Sequence, residues 1–170
     1  MPSDERMTRS SFSGHIQPIA VPRPMPLLPH RIWSDEDWER IQLGYCSRDM
    51  DEKWDVFTEG SVVFLHRSWT GHGIFQATFA PADEGGWQIT AAVVERDRRR
   101  YRGDDDEYNC LMLELLISAV VLGEPAQEPR AKLAELTRKA PGRRRVPQML
   151  QLGWRNTVLW VCARIRRSAA

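Results

Sequence analysis

The residues best equipped for chemistry fall in one hexapeptide, His66-Arg67-Ser68-Trp69-Thr70-Gly71, where an apolar run meets a glycine turn. If the run is a strand, alternate side chains face opposite sides, so His66 and Ser68 share one face and Arg67 and Trp69 the other. An arginine beside a tryptophan at a sheet rim can grip an anion while the indole stacks on a flat ring. A histidine with a serine two residues on can move a proton, but no carboxylate is fixed beside them by sequence. The competing reading is a half-buried strand end, with Trp69 in the core and Arg67 paired to an acid.

Asp104-Asp105-Asp106-Glu107 form the second cluster. Adjacent carboxylates offer the oxygen ligands that Mg²⁺ and Ca²⁺ prefer. The run lacks the spacing of a calcium loop, and capping the helix that follows accounts for it equally well. Arg98, Arg99, Arg100 and Arg102 stand close enough in sequence to pair with these acids. The expectation is that Arg67 or His66 reaches them from the strand end, while Trp69 is largely buried and anchors the turn. The candidate ligand-binding set is therefore His66, Arg67, Ser68, Trp69, Asp105 and Asp106. The histidines His15, His30, His66 and His72 are scattered, and only His66 and His72 can meet across a turn. No phosphate-binding loop, dinucleotide fingerprint, HExxH or GxSxG motif is present. No catalytic residue, metal or cofactor is assigned.

A third group is the basic C-terminal part: Arg130, Arg143, Arg144, Arg145, Arg164, Arg166 and Arg167, with Trp154 and Trp160 interleaved. Basic and aromatic side chains together suit nucleic acid or another anionic surface. No recognised nucleic-acid motif accompanies them, so a solvated face or one docked on the body is the plainer reading.

The elements that must hold these groups follow from patterning. Residues 1–30 contain six prolines and are read as an extended or disordered tail, draping at most Ile19, Val21 and Leu27 over the body. Ser34 caps a helix over 35–45 whose first turn is acidic and whose Trp38, Ile41 and Tyr45 share a face. Four strand signals follow at 54–59, 61–69, 74–80 and 87–96, joined by glycine turns. They predict an antiparallel meander, with Phe75, Ala77 and Phe79 on its inner face. Tyr108, Leu111, Met112, Leu115, Ala119 and Leu122 form one stripe of a helix over 105–122, ended by Gly123. A second amphipathic helix starts at Pro129 and ends before Pro141. The run 157–165 leans towards a strand.

The fold class expected is thus α+β: a four-stranded antiparallel meander covered on one face by helices, with a basic C-terminal extension. The divisions are a tail over 1–30, a core over 31–123 and an extension over 124–170, packed on the core. At 170 residues, 42% hydrophobic and 28% charged, the chain can build its own core. The near-zero net charge of +1 hides a split. Residues 31–127 carry 10 basic and 19 acidic side chains, while residues 128–170 carry 11 and 2. Such opposition favours docking of the basic segment on the acidic body. The three cysteines, Cys46, Cys110 and Cys162, form no close pair, which fits reduced thiols in a cytoplasm. No apolar run spans a membrane, and no signal peptide pattern opens the chain.

The stretch from Lys53 to Gly123 resembles a family of small, poorly characterised bacterial domains. The resemblance rests on KWDVFTEGSVVFLHRSWTGHGIF and DDDEYNCLMLELLISAVVLG. It maps onto Trp54, His66, Arg67, Ser68, Trp69, Thr70, Gly71, Asp105, Asp106, Glu107 and Tyr108. What it implies is a bacterial protein linked to ADP-ribose or NAD chemistry, in defence or immunity. The leading expectation is a non-catalytic cytoplasmic binding or immunity-type protein with a protein partner. The alternatives are a small enzyme or accessory acting on a nucleotide-like ligand at the HRSWTG turn, and a nucleic-acid-associated protein using the arginine-rich end.

Overall fold

The computed structural model describes residues 6–12 and 14–139. Its centre is a five-stranded antiparallel sheet: β1 Pro22–Pro24, β2 Trp54–Glu59, β3 Val62–Arg67, β4 Gly73–Pro81 and β5 Trp87–Glu95. The order across the sheet is β1-β5-β4-β3-β2. The β2 to β5 meander matches the sequence pattern. Register places Val56, Leu65, Phe75 and Val94 side by side in one row, and all four are wholly buried. Phe75, Ala77 and Phe79 lie inward as the alternation requires.

The fifth strand corrects the expected four, and it comes from the proline-rich segment. Met25 N–H donates to Ala92 O and Arg96 N–H to Val21 O, both at about 3 Å. Bonded pairs alternate along an antiparallel ladder, so Arg23 takes the intervening bonded position. Pro22 and Pro24 then turn their nitrogens to the outside, where no N–H is needed. The segment is extended, as expected, but it is fastened rather than loose. Phe12, Ile19 and Met25 are buried, whereas Val21 and Leu27 stay exposed. This strap crosses the face of the sheet opposite the helices, with Phe12 against Phe57 and Arg9 bridging to Glu59 at 2.9 Å.

Helix α1, Asp35–Leu43, begins in a reciprocal capping box between Ser34 and Asp37. Its last residue is Leu43, two short of the expected stop, with Gly44 as the C-cap. Trp38 anchors it, stacking on Phe79 at 4.9 Å and on Trp87 at 4.6 Å. Helix α2, Asp106–Leu115, follows the Asp105 cap. It continues as a π-helical segment over Leu116–Val121, closed by a five-residue step from Leu122 N–H to Ile117 O. Leu111, Met112, Leu115, Ala119 and Leu122 are buried as expected, and Tyr108 is half-buried. Leu113, Leu116 and Ile117 are buried as well; α3, Gln127–Lys139, packs on α2 with its Leu133 buried, and α1 touches the π segment. Arg31 secures the end of the π segment, donating to Ser118 Oγ at 2.8 Å and pairing with Glu124. Among the described residues no helix is long and apolar enough to cross a membrane. The expected strand at 157–165 and the basic residues Arg143, Arg144, Arg145, Arg164, Arg166 and Arg167 lie outside the described residues. Arg130 sits half-buried on α3, whose Lys132 and Lys139 pair with Glu128 and Glu135 of the same helix.

Candidate functional site at the HRSWTG corner

The hexapeptide closes β3 at a corner of the sheet and turns into β4. Several of its groups are taken up by the turn itself. Gly71 N–H donates to Arg67 O at 2.7 Å and Arg67 N–H to His72 O at 2.9 Å. His66, 2% exposed, lies on the strap side, stacked on Phe57 with centroids 5.4 Å apart. Its Nδ1 is 2.9 Å from Gly71 O, and a carbonyl can only accept, so Nδ1 carries the proton. Burial pushes the His66 pKa down, and the Gly71 bond opposes this only in part. Ser68 Oγ donates to Glu52 O at 2.8 Å. His15 of the strap donates from Nε2 to Ser68 O at 2.7 Å. Gly71 has φ +69°, and a Cβ there would overlap the His15 carbonyl oxygen. The turn has to be glycine because the strap presses directly on it.

Trp69 departs from expectation. It is 55% exposed rather than buried in the core. Its indole N–H donates to Met50 O at 3.0 Å, and Lys53 Nζ lies 4.9 Å over the ring. The turn bends away from the sheet after Arg67, and the strand alternation that would carry Trp69 inward ends there.

Arg67 lies on the helix-covered face, directly across from Trp54 in the β2–β3 register. Its guanidinium rests 4.2 Å over the Trp54 ring. Trp54 leans on Phe75, and Phe75 meets Tyr101 edge-on. Burial lowers the Arg67 pKa from its usual value, and Tyr101 and Tyr108 are the ionisable groups near enough to act on it. The expected contact between Arg67 or His66 and the acidic start of α2 is not formed. Asp106 pairs with Arg96, Asp104 with Arg98, and Asp105 accepts the Tyr108 N–H at 2.7 Å. The ionisable groups that act on Arg67 are therefore Tyr101 and Tyr108 rather than the carboxylates of this helix start. The half-buried arginines Arg31, Arg96 and Arg100 reach Glu124, Asp106 and Glu95. No carboxylate among the described residues lies within ion-pair distance of Arg67.

Of the six candidate residues, the structure gathers His66, Arg67, Ser68 and Trp69 at one corner and places Asp105 and Asp106 in a separate network. That network joins Arg96, Gly103, Asn109 and Tyr101, with Tyr101 Oη donating to Asn109 Oδ1 at 2.9 Å. Sequence reasoning missed Lys53 and Trp54 as partners of the corner. Their signal was the hairpin itself, since a tight Glu59-Gly60 turn sets Trp54 opposite Arg67. Among the described residues no group of three His, Cys, Asp or Glu side chains can hold a metal ion. The fold and corner together define an α+β protein with a strapped five-stranded sheet. Neither a family model, nor a curated protein, nor a solved structure matches the chain, so the reading of the corner rests on its own geometry.

Proposed function

We propose that the protein is a non-catalytic binding protein that takes an anionic group of its ligand on Arg67. One observation carries this reading: a half-buried guanidinium stacked on Trp54 with no carboxylate partner among the described residues. A charge held away from water is costly unless paired. Stacking covers one face of the guanidinium but leaves its in-plane N–H fork available, which matches the two oxygens of a carboxylate or phosphate. His66 and Ser68 serve the turn, so the corner supports recognition better than proton transfer.

The test uses Arg67→Met, which keeps a stem over Trp54 and removes the charge. A structural arginine loses stability on this change. An arginine kept for a ligand does not, because an unpaired charge leaves a desolvated site. The unliganded variant is expected to be at least as stable as the parent in urea. Acetate, inorganic phosphate or ADP-ribose should raise the melting temperature of the parent beyond chloride at equal ionic strength, and leave Arg67→Met unmoved. A less stable variant, with no anion effect in the parent, refutes the reading.

A further inference from the structure

Next to Arg67 the corner carries apolar surface that a bare ion cannot use. Met50 is 71% exposed and Trp69 55%, the two most exposed large hydrophobic side chains among the described residues. The Trp69 indole N–H is bonded to the backbone oxygen of Met50, which sets the two exposed residues side by side as a shelf. Backbone pairing joins the two segments that carry the shelf and the arginine: Ser68 N–H donates to Lys53 O, and Trp54 lies across from Arg67. Lys53 also has no ion pair among the described residues, and its ammonium lies over the Trp69 ring. The nearby acids are partly spoken for. Asp49 accepts the N–H groups of Asp51 and Glu52, and Glu52 accepts that of Arg48.

We infer that this corner docks a protein partner, seating a carboxylate side chain on Arg67 and a neighbouring apolar side chain on the Trp69–Met50 shelf. This rests on the anion-binding reading above and names the partner that reading leaves open. Charge complementarity argues for an acidic group, since neither Arg67 nor Lys53 forms an ion pair among the described residues, although Asp49, Asp51 and Glu52 stand nearby. The exposed shelf argues for a protein rather than a free anion. Tryptophan, arginine and methionine are enriched where protein interfaces are tightest, and Trp69, Arg67 and Met50 bring those types to this corner. A carboxylate alone would leave the shelf wet, whereas an acidic residue with an apolar neighbour covers both.

The experiment uses the full chain and a blocked peptide with Leu-Glu-Leu at its centre. Acetate, inorganic phosphate, ADP-ribose and the Leu-Gln-Leu peptide serve as comparisons. Binding is followed by the side-chain Nε resonance of Arg67 and the indole N–H of Trp69. The Glu peptide is expected to shift both signals and to bind about tenfold tighter than acetate, a difference of the size one apolar contact supplies. The Gln peptide should lose that advantage. Trp69→Ala, a change at an exposed side chain, should reduce the peptide to the level of acetate while acetate still shifts Arg67. If acetate and phosphate shift Arg67 but the peptide binds no better, the protein-docking inference fails and the anion reading stands. If no anion shifts Arg67, both fail. ADP-ribose binding more tightly than the peptide, with both signals moving, overturns the inference in favour of a nucleotide ligand.

Discussion

Glu95 offers the sharpest test of how the strap is held. Its side chain is wholly buried at the end of β5. The carboxylate accepts N–H groups from Ala20 at 2.7 Å, Val21 at 2.9 Å and Asp97 at 2.9 Å. Arg100 stands 3.9 Å away. Burial alone would raise the carboxyl pKa, but the three N–H groups and Arg100 outweigh it and hold it below the ordinary value. Hydrogen bonds to a charged acceptor are each worth about 1.5–3 kcal/mol. Two of the three donors belong to an exposed strap that water reaches once the carboxylate is gone, which limits the loss. Glu95→Ala should therefore cost about 3–5 kcal/mol in urea unfolding, and Glu95→Gln about half of that. Amide hydrogen exchange adds a local readout. In Glu95→Gln the amides of residues 17–25 should exchange faster, while those of β3 and β4 follow global stability. A cost below about 0.5 kcal/mol, within the noise of surface changes, with unchanged exchange at Ala20 and Val21, would refute the carboxylate as the anchor.

Four further outcomes rest on the same structure. His66 is lowered in the folded state, so the unfolded chain binds its proton first; stability should fall as pH drops through about 6.5, and His66→Gln should flatten that limb of a pH–stability curve. Glu95 is lowered as well, so its contribution is full above about pH 4.3 and is lost as pH falls further, giving a second acid limb that Glu95→Gln removes. Leu115→Ala, at a side chain 3% exposed, should cost about 2–5 kcal/mol by calorimetry, whereas a near-neutral result would mean the helix is wrongly phased. Gly71→Ala combines a left-handed backbone with the overlap on His15, so a loss of about 1–3 kcal/mol in urea is expected, with faster exchange in the strap; a neutral variant would mean the strap does not press on the turn.

The meander and α2 were legible because each has a dominant period: two along β4, and close to 3.6 along Leu111, Leu115 and Leu122. The capping box at Ser34 was legible for the same local reason. What escaped was set by tertiary neighbours. Prolines at 22 and 24 forbid a central strand but not an edge whose nitrogens face outward, and nothing local says that β5 will offer such an edge. Leu113, Leu116 and Ile117 lie off the main stripe, and their burial depends on the elements packed around α2 and the π segment, α3 and α1 among them. At the corner, the residue types were right but their roles were not. Trp69 reads as core because tryptophan usually is, yet the chain leaves the sheet one residue too early. Arg67 reads as paired to the acidic run, yet Arg96 and Arg98 are nearer in sequence and take Asp106 and Asp104.

The pairing of Pro22 with Glu95 joins the first strand of the sheet to the last across about seventy residues. On a ribosome adding roughly 5–20 residues each second, the first strand emerges and then waits on the order of 4–15 s before its partner exists. Through that interval it has no sheet to join, and a bare strand is open to capture by a neighbouring nascent chain. Every second residue from Pro22 to Pro26 lacks an N–H, so one side of the segment has little to donate to such a neighbour. The same prolines that finish the edge of the folded sheet thus guard the segment while it is still alone, and the strap can close only once β5 has emerged.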